Sequence, residues 1–204
     1  MPACRQTGSS MLLENYYHTL GCSQATCSFH FQTVFLLKFT FILDLKIFVM
    51  PTNLSPEFLR TTSENADFRQ MVRELDIDLY KRNGDTQALY EPYNQIDKIR
   101  HCMVIYVDRK PVGCGCFKQY DDASVEMKRM FVKPELRGKQ LAARLLQELE
   151  KWAMEEGYSK AVLETGVRQV EAQRLYSVAG YARTENHGQY LGMPDSICYR
   201  KILV

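Results

Sequence analysis

A seventeen-residue amphipathic run, Gln140 to Glu156, follows a strand-like segment across one short turn. Leu141, Ala142, Leu145, Leu146, Leu149, Trp152 and Ala153 recur at helical spacing with charges opposite. That pattern is a helix with one buried face, and Gly157 fits its C-terminal cap. Ahead of it, Ser124 to Val132 reads as a strand, which Pro134 stops. The joining turn carries Arg137 and Gly138. A helix start presents unpaired N–H groups and the positive end of the helix dipole, a ready site for phosphate oxygens. Gly138 lacks a Cβ, so backbone there can turn sharply and approach a ligand. Arg137 can add a charged contact. On these residues alone the turn is either a phosphate cradle or an ordinary strand-to-helix connection with an exposed arginine.

The rest of the chain after Met50 sets this unit in a mixed architecture. Phe58 to Thr62 reads as a short strand, and Asn65 as the cap of a helix whose apolar face is Phe68, Met71, Val72, Leu75 and Leu79. Asn83-Gly84-Asp85 ends it, and residues 86–99 are irregular and aromatic. His101 to Val107 and Val112 to Tyr120 form a hairpin about Asp108-Arg109-Lys110-Pro111. Lys160 to Thr165 is a buried strand broken by Gly166, Val170 to Val178 a short helix, and Tyr181 onward and Ser196 to Leu203 the last strands. This order predicts an α+β fold with a mixed central β-sheet flanked by helices. By alternation, Glu126, Lys128 and Met130 are expected on one face of their strand.

Composition changes near Met50, and the chain divides into residues 1–49 and a domain from 50 to 204. The first part holds three of the seven cysteines and few charges. Its apolar run Val34 to Val49 is interrupted by Lys38, Asp44 and Lys46, a poor membrane span. No signal-peptide pattern precedes it. Met50-Pro51-Thr52 reads as a start, so residues 1–49 are expected to lie outside the natural domain. A genuine extension with a strand at Phe31–Phe41, or an anchor, are the alternatives. Net charge is +2 with no basic block, so nothing directs the chain to nucleic acid. Seven cysteines without framework or zinc spacing point to free thiols, no metal and a cytoplasmic setting. Cys114 and Cys116, two apart in a strand, should share one face.

Two segments resemble the GNAT superfamily of N-acetyltransferases. Glu126 to Val132, then Arg137 to Ala142, is similar to that family's acetyl-CoA-binding core with its Arg/Gln-x-x-Gly-x-Gly/Ala turn; Gln140 stands in place of the middle glycine. Gln169 to Tyr181 resembles its Asn-x-x-Ala-x-x-Leu-Tyr-x-x-x-Gly-Phe/Tyr segment, with Gln169 for Asn. The resemblance covers residues 55–204 and implies the GNAT acyl-CoA N-acyltransferase fold. At Gln140 an ordinary helical backbone is expected, since only glycine is free of that limit.

The resemblance implies direct attack of a primary amine on the acetyl-CoA thioester. Acetyl-CoA, the cosubstrate, would be held by Met130, Phe131, Val132, Arg137, Gly138, Lys139, Gln140, Leu141, Ala142, Gln169 and Ala172. A backbone N–H at Phe131 or Val132 would stabilise the oxyanion. Tyr176 falls where the family places its general acid. Glu126 and then Glu164 are the candidate bases, with His187 behind them. Tyr90, Glu91, Tyr93, Asn186 and Tyr190 would border the acceptor pocket. The expected acceptor is an amine of a small molecule or peptide. A protein N-terminus or lysine, or a non-catalytic acyl-CoA-binding module, are the alternatives. Family members often pair, so a homodimer is expected.

Overall fold

Every side chain that could work on a ligand is placed by where one sheet closes and where it opens. The computed structural model describes residues 55–203, and the expectations for residues 1–49 lie outside them. Strand β1 (Glu57–Thr61) leads into α1 (Ala66–Asn83), whose first turn is capped by Asn65 accepting from the Phe68 N–H at 2.9 Å. A 3-10 stretch, Gly84–Tyr93, follows. Strands β2 (His101–Val107), β3 (Lys110–Gln119) and β4 (Ser124–Val132) form a meander. Then come α2 (Leu141–Glu155), β5 (Lys160–Gly166), α3 (Val170–Val178), β6 (Ala182–Thr184) and β7 (Ser196–Ile202). The strands make one mixed sheet in the order β1-β2-β3-β4-β5-β7-β6.

Alternation along β2 sorts the core into two layers. Cys102 and Val104 pack with Phe68, Met71 and Val72 of α1, while Met103 and Ile105 pack with Leu145, Leu146 and Leu149 of α2. The two helices therefore cover opposite faces, and α3 joins α2 through Ala172, Leu175 and Tyr176. Cys114 and Cys116 do share a face, buried in the α1 layer as free thiols beside Cys102. Gly115 lies on the other face, where a Cβ would meet Met130 Sδ at 2.7 Å and Leu149 Cδ1 at 2.9 Å. None of the helices among the described residues is long and apolar enough to cross a membrane.

Two local features depart from expectation, and both lie at the heart of the fold. Strand β4 carries a bulge: Cys114 pairs with Phe131 but Cys116 with Lys128, and Arg129 takes a left-handed backbone, φ 58°. The extra residue shifts the alternation. Lys128 stays on the α1 side opposite Cys116, while Met130 turns to the α2 side against Gly115, so Lys128 and Met130 do not share a face. The second departure is Gln140, which is not helical but left-handed, φ 61° and ψ 10°. The turn demands the glycine conformation even though a side chain is present, at a cost of about 1–2 kcal/mol.

Candidate functional site

Strands β4 and β5 are the one parallel pair among the described strands, and they pair only from Ser124/Lys160 to Met127/Leu163. Beyond that point β5 continues beside β7 while β4 continues beside β3. The two halves of the sheet part, and cavities open on both sides of the divergence.

The larger cavity, about 570 Å³, runs from the divergence to the start of α2. Met130, Phe131, Val132, Arg137, Gly138, Gln140, Leu141, Ala142, Gln169 and Ala172 line it. Of the residues expected on the cosubstrate side, only the exposed Lys139 is not among the lining. The turn is built to receive an anion. With Gly138 at φ 78° and Gln140 at φ 61°, the N–H groups of residues 138–143 donate to no backbone carbonyl, and Arg144 N–H is the first to return, to Gln140 O at 3.1 Å. Such a run of amides is an anion nest at a helix start.

Arg137 is already engaged. Its Nε donates to Val132 O at 3.1 Å and its Nη2 to Asp78 Oδ2 at 3.1 Å. Asp78 also accepts from Arg82 Nε at 3.2 Å, and Arg82 pairs with Glu171 at the start of α3. Lys133 N–H donates to Val112 O at 2.9 Å, so the amides of Phe131 and Lys133 face β3. Val132, whose carbonyl meets Arg137, presents its amide to the cleft.

The smaller cavity, about 90 Å³, is polar and lies on the far side of Tyr176, which lines both. Tyr176 is buried. Burial, then the Glu164 charge, hold its pKa above the usual phenol value. Glu126 and Glu164 both line this space, but their settings differ. Glu126 Oε1 accepts from Lys128 Nζ and from Tyr190 hydroxyl, each at 3.0 Å, and Oε2 lies 3.3 Å from Lys118 Nζ. Glu164 accepts from Ser196 Oγ at 2.7 Å, and Ser196 Oγ also reaches Tyr90 hydroxyl at 3.2 Å. Burial raises the Glu164 pKa, the bond from Ser196 and the charge of Lys128 opposing it.

The expected acceptor residues divide. Tyr90 and Tyr190 line the small cavity. Tyr93 packs edge-on against Tyr190, ring centroids 6.1 Å apart. Glu91 faces a separate outer cleft of about 520 Å³. Asn186 is used internally, its amide donating to Met193 O at 2.9 Å and Ser196 O at 3.0 Å, which fixes the loop that delivers Tyr190. His187 bonds Tyr120 hydroxyl through Nδ1 at 3.1 Å, outside both cavities.

Several participants carried no sequence signal: Ser196 behind Glu164, Lys118 on Glu126, Asp78 on Arg137, and Asp195 and Arg129 in the cavity wall. Gln169, where the resemblance has Asn, is held by Thr165 Oγ1 donating to its Oε1 at 2.9 Å.

Residues 68–181 match the Acetyltransferase (GNAT) family. Two relatives extend the match. An uncharacterized N-acetyltransferase of Schizosaccharomyces pombe is 30% identical over 142 residues, 66% of this chain and 86% of that protein. The IAA acetyltransferase of Azospirillum brasilense is 34% identical, over 66% of this chain and 89% of its own. Among solved structures, a chain from Klebsiella pneumoniae assigned as an acyl-CoA N-acyltransferase superposes with TM-score 0.62 at 27% identity, over 74% of this chain and 100% of that one.

Proposed function

The chain belongs to the GNAT family of acetyltransferases and is an acyltransferase enzyme, and we propose that it moves an acetyl group from acetyl-CoA to the primary amine of a small molecule. The observation that carries this reading is the pair of cavities joined at Tyr176. The amide nest at residues 138–143, with Arg137, suits a pyrophosphate, and the apolar walls of the larger cleft suit the arm that follows it. Bound there, acetyl-CoA supplies the activated acyl group. The narrow polar cavity suits the amino end of a small acceptor, and the name of the Azospirillum relative points to small-molecule acetylation.

The residues then divide the work. The acceptor arrives as an ammonium and must lose a proton before its nitrogen can attack. Glu164 is the better proton acceptor: burial makes it more basic, and its one close partner is a hydroxyl. Glu126 is held by two lysines and the Tyr190 hydroxyl, so it serves as the floor of the cavity. The N–H of Val132 faces the position where negative charge grows on the acyl oxygen. A C–N bond forms as the C–S bond breaks, Tyr176 gives its proton to the departing sulfur, and the second proton that the nitrogen sheds on becoming an amide returns to the phenolate. Burial that raises the phenol also raises a thiol, which keeps the transfer from being steeply uphill.

Calorimetric titration of the full chain with acetyl-CoA tests the reading. Binding should weaken about tenfold or more when Arg137 becomes Glu, the loss expected for a charge-assisted contact turned repulsive. A chain that binds neither acetyl-CoA nor CoA would end the proposal and the acyl-CoA-binding alternative with it.

A further inference from the structure

Resting on that reading, we infer that the acceptor carries a carboxylate as well as its amine: the substrate is a free amino acid, its carboxylate held by Arg129 and its amine by Glu164.

Arg129 sits in the wall of the small cavity and equally in that of the outer cleft of about 520 Å³; the two spaces also share Gln87 and Asn94. Its side chain is only 4% exposed. A buried guanidinium normally has its donors satisfied, because leaving one without a partner forfeits its hydration. Here Nη2 reaches Asp76 Oδ1 at 2.5 Å, while Nε is buried with no partner among the described residues. Asp76 is itself 48% exposed, so the pair is solvated at one end and open at the other.

The other cations of the cavity are spoken for. Lys128 is bound to Glu126 and to Tyr190 hydroxyl, and Arg168 donates to the carbonyls of Arg82 and Asn83. Arg129 is the lining cation with a buried donor left unpaired among the described residues. Its position is also built at a cost. It holds the left-handed φ of 58° at the β4 bulge, and non-glycine residues persist in that region only when surrounding structure enforces it. Bulges re-aim side chains beside active sites.

The same cavity holds Glu164 and Asp195 without lysine or arginine partners among the described residues, the place for an ammonium. Two carboxylates that attract a cation and one guanidinium with a buried donor unpaired match a zwitterion. The rest of the molecule would extend past Gln87 and Asn94 into the outer cleft.

The test measures CoA release from acetyl-CoA with alanine and ethylamine, and with phenylalanine and 2-phenylethylamine. The readout is the change between wild type and variant for one acceptor at a time, so the acceptors' different amine pKa values cancel. In Arg129→Gln, kcat/KM should fall about tenfold or more further for the amino acids than for the amines. In Asp76→Asn, an exposed change that spares folding, kcat/KM for the amino acids should rise relative to the amines, because Arg129 loses its competing anion. Equal changes for both acceptor classes in Asp76→Asn, or in a folded Arg129→Gln, would overturn the carboxylate assignment and leave amine acetylation standing. No CoA release from any acceptor, with no acetyl-CoA binding, would remove both.

Discussion

Tyr176 and Glu164 are separated by the length of one turn and part of a helix, yet burial acts on them toward opposite ends. On the phenol it preserves the proton; on the carboxylate it favours taking one up. Replacing Tyr176 by Phe should lower kcat about 100-fold, within the usual reach of general acid catalysis, and leave acetyl-CoA affinity unchanged. Stopped-flow turnover beside calorimetry checks this, and undiminished turnover would reduce Tyr176 to a packing residue. Glu164 has its pKa raised above the usual value of about 4.3. Its basic form is therefore lost at a higher pH than for an ordinary glutamate as pH falls. The acid limb of kcat/KM, corrected for free amine, should lie above that value and vanish in Glu164→Gln. A limb that persists in the variant would move the role to another group. Tyr176 could be read from its motif, and Glu164 from its place at a strand end. Ser196 could not, because it comes to Glu164 only through the β5–β7 pairing, thirty-two positions along the chain.

At the scale of elements, strands and helices were legible because each has its own hydrophobic period, and the observed bounds of β4 are those expected, Ser124–Val132. What periodicity hid was the defect inside that strand. A bulge leaves composition untouched and reveals itself only in pairing, so Arg129 and Met130 land on faces that alternation misassigns. Gln140 is the same lesson at a turn. Side-chain type argued for a helical backbone, but the geometry of the turn holds φ at 61°. Gln140→Gly should relieve about 1–2 kcal/mol of left-handed strain, less about 0.5–1 kcal/mol for glycine's extra freedom when unfolded. Denaturant unfolding should show a net gain of several tenths of a kcal/mol or more, with acetyl-CoA affinity retained. A loss of stability would mean that the Gln140 side chain makes a contact worth more than its strain.

For the whole molecule, the decisive fact is where pairing stops. Seven strands share one sheet, but beyond Met127 and Leu163 its third and fourth interior strands no longer touch. α1 and α2 clamp the meander from opposite faces, so the parting is held open by cores on both sides. The chain pattern disclosed the layers, since alternation along β2 assigns each residue to a helix. It did not disclose the parting, because nothing in the composition of β4 or β5 records where two neighbours separate. Deuterium exchange gives this architecture a time axis. Amides along the parted edge, Val132 and residues 138–143 among them, need no unfolding to trade hydrogen with water, whereas those of the β5–β7 ladder do. Saturating acetyl-CoA should slow the first set and leave the second where it was. The native protein would then have a stretch of backbone whose protection is set by cosubstrate concentration, and exchange at that edge would read out occupancy of the enzyme while the rest of the sheet keeps its own clock.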